Sequence, residues 1–324
     1  MTLSPRARPS GPSGRFLLTF MLLSAALFAY GWYSGWLQVG VYQWLLAGES
    51  RTPPWQAGAP NEERSTGRRL ALEDYRVGID ALALAGVGSD LSGLTYHPTR
   101  HTLFSVVNRP PQIVELSLDG VPLRTIPVEG AFDLEGITHV RGNEFFLADE
   151  RSQQLIHVVV GEGRSPIDVR GRPRIGLTFD RPGNLGLEGL SWDHVRHRLF
   201  VVREKRPLRL FELSGVSTLL DGGPLDLQIG EWLPRGSAAF LLRDLSSLSY
   251  HEESGNMLLL SDESRLVIEL DSARRPSGLL VLRKGWHGLK NDVPQPEGLT
   301  VGPGGEIFVV SEPNLFYRFD PPRQ

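Results

Sequence analysis

From Tyr75 onward the chain alternates short apolar runs with polar, turn-forming residues, and the pattern repeats five times. Each repeat opens on a related motif: DLSGLTYH at 90–97, DLEGITHV at 133–140, GLEGLSWD at 186–193, DLSSLSYH at 244–251 and QPEGLTVG at 295–302. Successive motifs start 43, 53, 58 and 51 residues apart. A second apolar run follows each motif (LFSVV 103–107, FFLAD 145–149, LFVVR 199–203, MLLLS 257–261, IFVVS 307–311). After a polar turn comes a third (IVELSL 113–118, LIHVVV 155–160, LRLFEL 208–213, LVIEL 266–270, LFYRF 315–319). Runs of this length, rich in Val, Leu, Ile and Phe and bounded by turn residues, are strands rather than helices. A weaker fourth run, such as LRTIPV at 123–128, completes a four-stranded unit. Five such units predict an all-β chain folded as a five-bladed β-propeller. Two jelly-roll or sandwich domains would leave the shared motif unexplained.

The pattern also predicts how the ring closes. The last unit has only three strands, so its outer edge is left unpaired. YRVGIDALAL at 75–84 precedes the first motif, where a fourth strand precedes the others. Laid against the last unit, it would cover the open edge and latch the ring.

Before Tyr75 the pattern changes. Arg6, Arg8 and Arg15 precede an uncharged stretch from Phe16 to Gly48. Residues 16–36 number 21, which at ~1.5 Å per residue covers a ~30 Å hydrocarbon core. Trp32, Tyr33, Trp36, Tyr42 and Trp44 form an aromatic belt at the far end, and the basic residues lie before the span. This predicts a single transmembrane helix with its amino terminus in the cytoplasm. The expected organisation is a basic cytoplasmic segment (1–15), an inner-membrane anchor (16–36), an interfacial segment and linker (37–74) and a periplasmic propeller (75–324). A cleaved leader, with Ala29-Tyr30-Gly31 as its processing site, is the competing reading.

Composition narrows the chemistry. Of 324 residues, Lys and Arg number 34 and Asp and Glu 37, so the net charge of −3 offers no basic field for nucleic acid. The absence of cysteine excludes disulfides, thiolate zinc sites, iron–sulfur clusters and cysteine nucleophiles. There is no GxSxG elbow, Walker loop or HExxH motif.

What the chain offers instead is acid. In a propeller the first strand of each blade lines the central channel and the second runs back antiparallel. Starts of first strands and ends of second strands therefore share one face. The third motif position reads Ser92, Glu135, Glu188, Ser246 and Glu297, converging on the axis. The second-strand exits read Arg109, Glu150, Glu204, Glu263 and Glu312, with Asn108, Asp149 and Asp262 beside them. Two like charges ~5 Å apart repel by roughly 3 kcal/mol at an effective dielectric of 20, so the carboxylates require a cation, arginines or shared protons. An all-oxygen set suits a hard divalent ion, and Ca²⁺, with its flexible coordination, more than Mg²⁺. Glu135, Glu188 and Glu297 are the leading ligand candidates, followed by Glu150, Glu204, Glu263, Glu312, Asp149 and Asp262. Pairing with Arg109, Arg151, Arg203 or Arg243 is the structural alternative. His97, His139, His194 and His251 follow the first strands and read as solvated turn residues on the opposite face. His287 and Asn291, in the loop before the last motif, are candidates to overhang the acidic mouth as a ligand or proton carrier.

The anchor, DLSGLTYHP, FDLEGITHV followed by FFLADER, and PQPEGLT together resemble the SdiA-regulated family over about residues 75–320. The resemblance implies a five-bladed propeller, distantly NHL-repeat-like, with calcium in its fold and no established activity. The fourth motif departs from the pattern, with Ser247 in the glycine position. Two functional expectations follow. One is a calcium-organised module that binds a small ligand or a periplasmic protein. The other is a metal-dependent hydrolase of a lactone, ester or phosphoester.

Overall fold

The computed structural model describes residues 14–33, 36–49, 69–177, 186–204, 207–223, 226–232, 234 and 241–323. The chain divides into two compact units, Met1–Leu45 and Leu46–Gln324. The first contains helix α1 (Gly14–Tyr33), and helix α2 (Trp36–Glu49) begins in it. Among the described residues no helix is long and apolar enough to cross a membrane. The single transmembrane helix expected over 16–36 is therefore not part of the fold as described. Its helix ends at Tyr33, it is diluted by Thr19, Ser24 and Gly31, and Ser34 and Gly35 lie outside the described residues.

The second unit is the predicted propeller. Strand β1 (Arg76–Ala83) is followed by β2 (Leu91–His97), β3 (Thr102–Val107), β4 (Gln112–Leu116) and β5 (Pro122–Glu129), the last four forming the first blade. The second blade contains β6 (Leu134–Arg141), β7 (Glu144–Asp149) and β8 (Gln154–Val159). Next comes the short β9 (Ile167–Asp168), which pairs in parallel with β5 as a fifth strand of the first sheet. Strand β10 (Arg174–Gly176) then completes the second blade. The third blade is β11 (Leu187–Asp193), β12 (Arg198–Arg203), β13 (Arg209–Ser214) and β14 (Gln228–Glu231). The fourth is β15 (Ser247–His251), β16 (Asn256–Ser261), β17 (Leu266–Leu270) and β18 (Pro276–Val281). The fifth is β19 (Pro296–Val301), β20 (Ile307–Ser311) and β21 (Leu315–Asp320), and β1 closes it.

Strand β1 runs antiparallel to β21, from Arg76 opposite Asp320 to Ala83 opposite Leu315, so the expected latch forms. The packing reaches further back than Tyr75. Leu72 is fully buried in the cluster shared by the fourth and fifth blades, and the Leu70 N–H donates to Glu269 Oε1 at 3.0 Å. Similar clusters join the first blade to the second (Phe104, Val106, Leu134, Ile137, Phe145), the second to the third and the fifth to the first. Apolar burial between sheets, rather than any strand alone, carries the stability.

The motif stitches the inner strands into a ring. At its sixth position, Thr95 Oγ1 accepts the His139 N–H (3.1 Å), Thr138 Oγ1 that of Trp192 (3.0 Å), Ser191 Oγ that of Tyr250 (2.9 Å) and Thr300 Oγ1 that of Tyr96 (3.2 Å). Each hydroxyl thus satisfies a neighbouring blade's amide, worth about 1 kcal/mol. The motif glycines make the approach close enough. A Cβ on Gly93, which sits at φ 52°, would lie 2.9 Å from the Glu135 carbonyl oxygen, and one on Gly189 would lie 2.8 Å from Ser247 Cα. Where the fourth motif has Ser247, its Oγ accepts the Leu299 N–H at 3.2 Å, so the substituted position bridges to the fifth blade by a side chain. A Cβ on Gly136 would collide with the Glu188 carbonyl oxygen, which the ring holds in place. Gly136→Ala should destabilise the protein by about 3 kcal/mol, the upper range for overpacking, measurable as a lower urea midpoint.

Candidate metal centre

Antiparallel pairing puts the two acid rings on one rim. Leu134 lies opposite Asp149, Leu187 opposite Arg203 and Pro296 opposite Ser311, so each inner-strand start meets a second-strand end. Carboxylate oxygens of Asp133, Glu135 and Glu150 lie within 4.8 Å of one another, as do those of Glu150, Glu188 and Glu204. Glu150 is common to both groups.

Glycine explains how Glu150 reaches this position. The first motif position is Asp90, Asp133, Asp244 and Gln295 in four repeats but Gly186 in the third. A Cβ on Gly186 would fall on the Cγ, Cδ and Oε1 of Glu150. The missing side chain leaves a cradle that the neighbouring blade's glutamate fills.

Burial and mutual repulsion raise several of these carboxylates. Burial, reinforced by the charges of Glu150 and Asp133, pushes Glu135 up to about 8, against a hydrogen bond from Asn108. Burial, with Asp262, Glu135, Glu312 and Asp244 around it, pushes Glu297 up to about 9. Glu188, 7% exposed, is raised well above the usual carboxylate range by burial and then by Glu135, Glu150, Glu297 and Glu204. Burial and Asp244 lift Asp262 to about 6. Burial, Asp90 and Asp262 raise Glu312, with Arg109 offsetting only part of the effect. Of the four arginines expected as partners, Arg109, Arg151 and Arg243 are exposed, whereas Arg203 is buried at the end of β12, opposite Leu187.

Two of the expected ligands are placed otherwise. Asp149, 1% exposed, accepts the Phe132 N–H at 3.1 Å and the Ser152 N–H at 3.3 Å, which commits it to the turn. Glu263 is exposed, and its N–H donates to both Asp244 oxygens at 3.2 Å. The serines at the third motif position serve the ring, Ser92 Oγ donating to the Glu135 carbonyl (2.8 Å) and Ser246 Oγ to that of Pro296 (2.7 Å). Asp133 and Asp244 belong with the acidic rim although the sequence reading passed over them. The alternation of a strand, which puts residues i and i+2 on one face, was the available signal.

Asn108 points most directly to a cation. It is 7% exposed, and its Nδ2 donates to Asp133 and, at 2.7 Å, to Glu135 Oε1. Its Oδ1 is buried without a hydrogen-bond partner. The residue that bridges Asp133 and Glu135 through Nδ2 thus also carries a spare neutral oxygen, a donor type that hard divalent ions take together with carboxylates. Asn108, Asp133, Glu135 and Glu150 therefore fit Ca²⁺, with Glu188 and Glu204 adjoining.

His287, expected at the mouth, is turned inward instead. His287 is 9% exposed, its Nε2 accepting the Val281 N–H at 3.1 Å and its Nδ1 donating to the Tyr75 carbonyl at 2.9 Å. It clasps β18 to the start of the latch, since its ring satisfies two backbone groups that outer strands leave open, and Asn291 is exposed on the same loop. A cavity of about 880 Å³ also lies away from the acids, lined by Tyr75, His251, Ser254 and Gly302 among others.

Five closed sheets with an acidic channel mouth define a β-propeller carrying a candidate cation site. More particularly, the chain belongs to the SdiA-regulated family, whose sequence profile matches residues 68–320. Among solved structures it is similar to a luciferin-regenerating enzyme, at 14% identity over 73% of this chain and 94% of that one, TM-score 0.45. It is also similar to a streptogramin B lyase, at 8% identity over 78% and 99%, TM-score 0.44. A chain of a nidogen–laminin complex matches at 18% identity over 69% and 73%, TM-score 0.43.

Proposed function

We propose that this protein is a binding module whose propeller mouth takes a calcium ion, which orders the rim for a small ligand or a partner protein. The convergence of Asp133, Glu135 and Glu150, whose carboxylate oxygens lie within 4.8 Å of one another beside an Asn108 that has a buried, unpartnered Oδ1 and donates from Nδ2 to two of them, is the observation that carries this reading. Phe132, 63% exposed next to Asp133, offers an apolar contact at the same rim. Calcium would neutralise the converging carboxylates, and the chain's own residues would set which loops face the ligand. The test is calcium titration of the full-length protein and of Gly186→Ala. The added methyl displaces the Glu150 carboxylate without removing a ligand, so apparent affinity should fall at least tenfold, about 1.4 kcal/mol. The melting temperature of the metal-free protein should stay within about 2 °C. Equal calcium affinity in both proteins contradicts the site.

A second reading is a metal-dependent hydrolase of a lactone, ester or phosphoester. It is favoured by Glu135, whose position near neutrality suits a general base. Metal-dependent turnover that Glu135→Ala abolishes, with the fold intact, would support it. A broad substrate panel without turnover would remove it.

The setting we propose is the periplasmic side of the inner membrane, held through residues 16–36. Met21, Leu22, Leu23, Leu27 and Phe28 are each more than half exposed, so the helix presents apolar side chains around its circumference, which favours a lipid environment. Release of the full-length protein from membranes by carbonate would contradict this.

A further inference from the structure

On the rim opposite the mouth, three histidine rings and a carboxylate at the ends of the inner strands form a chain that crosses four blades. His97 and His139, 1% and 3% exposed, lie with ring centroids 4.3 Å apart rather than in solvent. They pack on Phe104 and Phe145, which is why these turn residues are buried. His139 Nε2 lies 3.1 Å from the Gly142 carbonyl oxygen, and its Nδ1 lies 3.1 Å from His194 Nε2. His194 Nδ1 in turn lies 2.6 Å from Glu252 Oε1, which also accepts the His194 backbone N–H at 2.7 Å.

Counting protons along this chain gives its state. Both ends are acceptors, a carbonyl oxygen and a carboxylate, and three contacts in series each need one hydrogen. Two neutral imidazoles carry only two. The two rings must therefore hold three, and one of them is an imidazolium. His139 is the unfavourable host, because burial and then the neighbouring His97 push it down to about 4. The extra proton falls on His194, whose Nδ1–H donates to Glu252 and whose Nε2–H donates to His139.

We propose that His139, His194 and Glu252 form a single-proton clasp that joins the second, third and fourth blades when charged and gives up one of its contacts when its proton leaves to water. Without that proton one contact becomes acceptor against acceptor, while the His194 backbone N–H still donates to Glu252. Other charged groups lie around the clasp, and His251 acts on Glu252 directly. On the first blade these are His97, Glu115 and Arg100, and Arg100 pairs with Glu162 at 2.6 Å. On the third blade Asp193 is held by Arg198 at 2.8 Å. On the fourth, His251 and Glu253 flank Glu252.

The experiment is a side-chain ¹⁵N titration of the histidines in the full-length protein from pH 5 to 9, with Glu252→Gln as comparison. The expected result at pH 6 is a doubly protonated His194 beside a neutral, Nε2-protonated His139, with both rings shifting in one step as the proton leaves. In Glu252→Gln the amide can donate to His194 Nδ1, so the extra proton is no longer required. The midpoint should then fall by about one pH unit, a tenfold loss of proton affinity. An unchanged midpoint in the variant, or a His139 that takes the charge or titrates independently of His194, overturns the proposal.

Discussion

In metal-free buffer the melting temperature should fall by roughly 10 °C between pH 6.5 and pH 9, at 2–4 °C per kcal/mol for a domain of this size, and saturating calcium should remove most of that fall. Glu135 sits at about 8 and Glu297 at about 9 in the folded protein, against about 4.3 for an unfolded glutamate. Because these folded values are raised, the native state holds protons that the unfolded chain has released. Their stabilisation is whole below the unfolded value and is lost as pH rises through 8 and 9. Below about pH 6.5 the buried His139, lowered to about 4, acts in the opposite sense, losing stability as it is forced to charge. Within the alkaline window, the part of the fall that calcium reverses belongs to the mouth. Calcium replaces the shared protons, so its effect should be large at pH 8 and small at pH 5. At one hundred times Kd the gain is about 2.7 kcal/mol. Calorimetric melting with calcium or chelator checks this, and a pH profile that calcium leaves unmoved would remove the ion from the account.

Tyr75→Ala should lower the melting temperature by roughly 8–15 °C, from the 3–5 kcal/mol that large aromatic truncations cost. Tyr75 is 1% exposed, its hydroxyl donates to the Gly305 carbonyl at 2.8 Å, and its own carbonyl accepts from His287. It stands where the chain turns into β1, so its loss frees the strand that covers the β21 edge and closes the ring. Tyr75→Phe keeps the ring and loses only the hydroxyl, and should cost about 1 kcal/mol. If Tyr75→Ala melts within 3 °C of the native protein, the latch contributes little to stability. Thermal denaturation followed by circular dichroism distinguishes the outcomes.

The propeller and its latch were legible because repetition averages out local ambiguity. One apolar run such as LFSVV could be a buried helix segment, but five at matched distances after five related motifs could not. The shared rim followed from strand direction alone. Which acids meet there was less legible, because it depends on side chains that are absent. Gly186 reads as a motif variant, yet its missing Cβ is what admits Glu150. Asp149 and Glu263 both lie at second-strand exits and carry the same charge, and only backbone N–H groups a few residues away separate the capping acid from the exposed one. His139 was hidden for a related reason. A histidine at a strand end is ordinarily solvated, and its burial comes from His97, Phe145 and His194 on three different blades. His287 looked available because it lies in a loop, although two outer strands consume both of its nitrogens.

Calcium titrated at pH 7.5 into metal-free, full-length protein, by calorimetry in two buffers of different ionisation enthalpy, tests the central claim most directly. The account predicts saturable binding with net release of about one to two protons per ion, both lost in Glu150→Gln. No calcium-dependent heat, or a binding enthalpy that is the same in the two buffers, would contradict it.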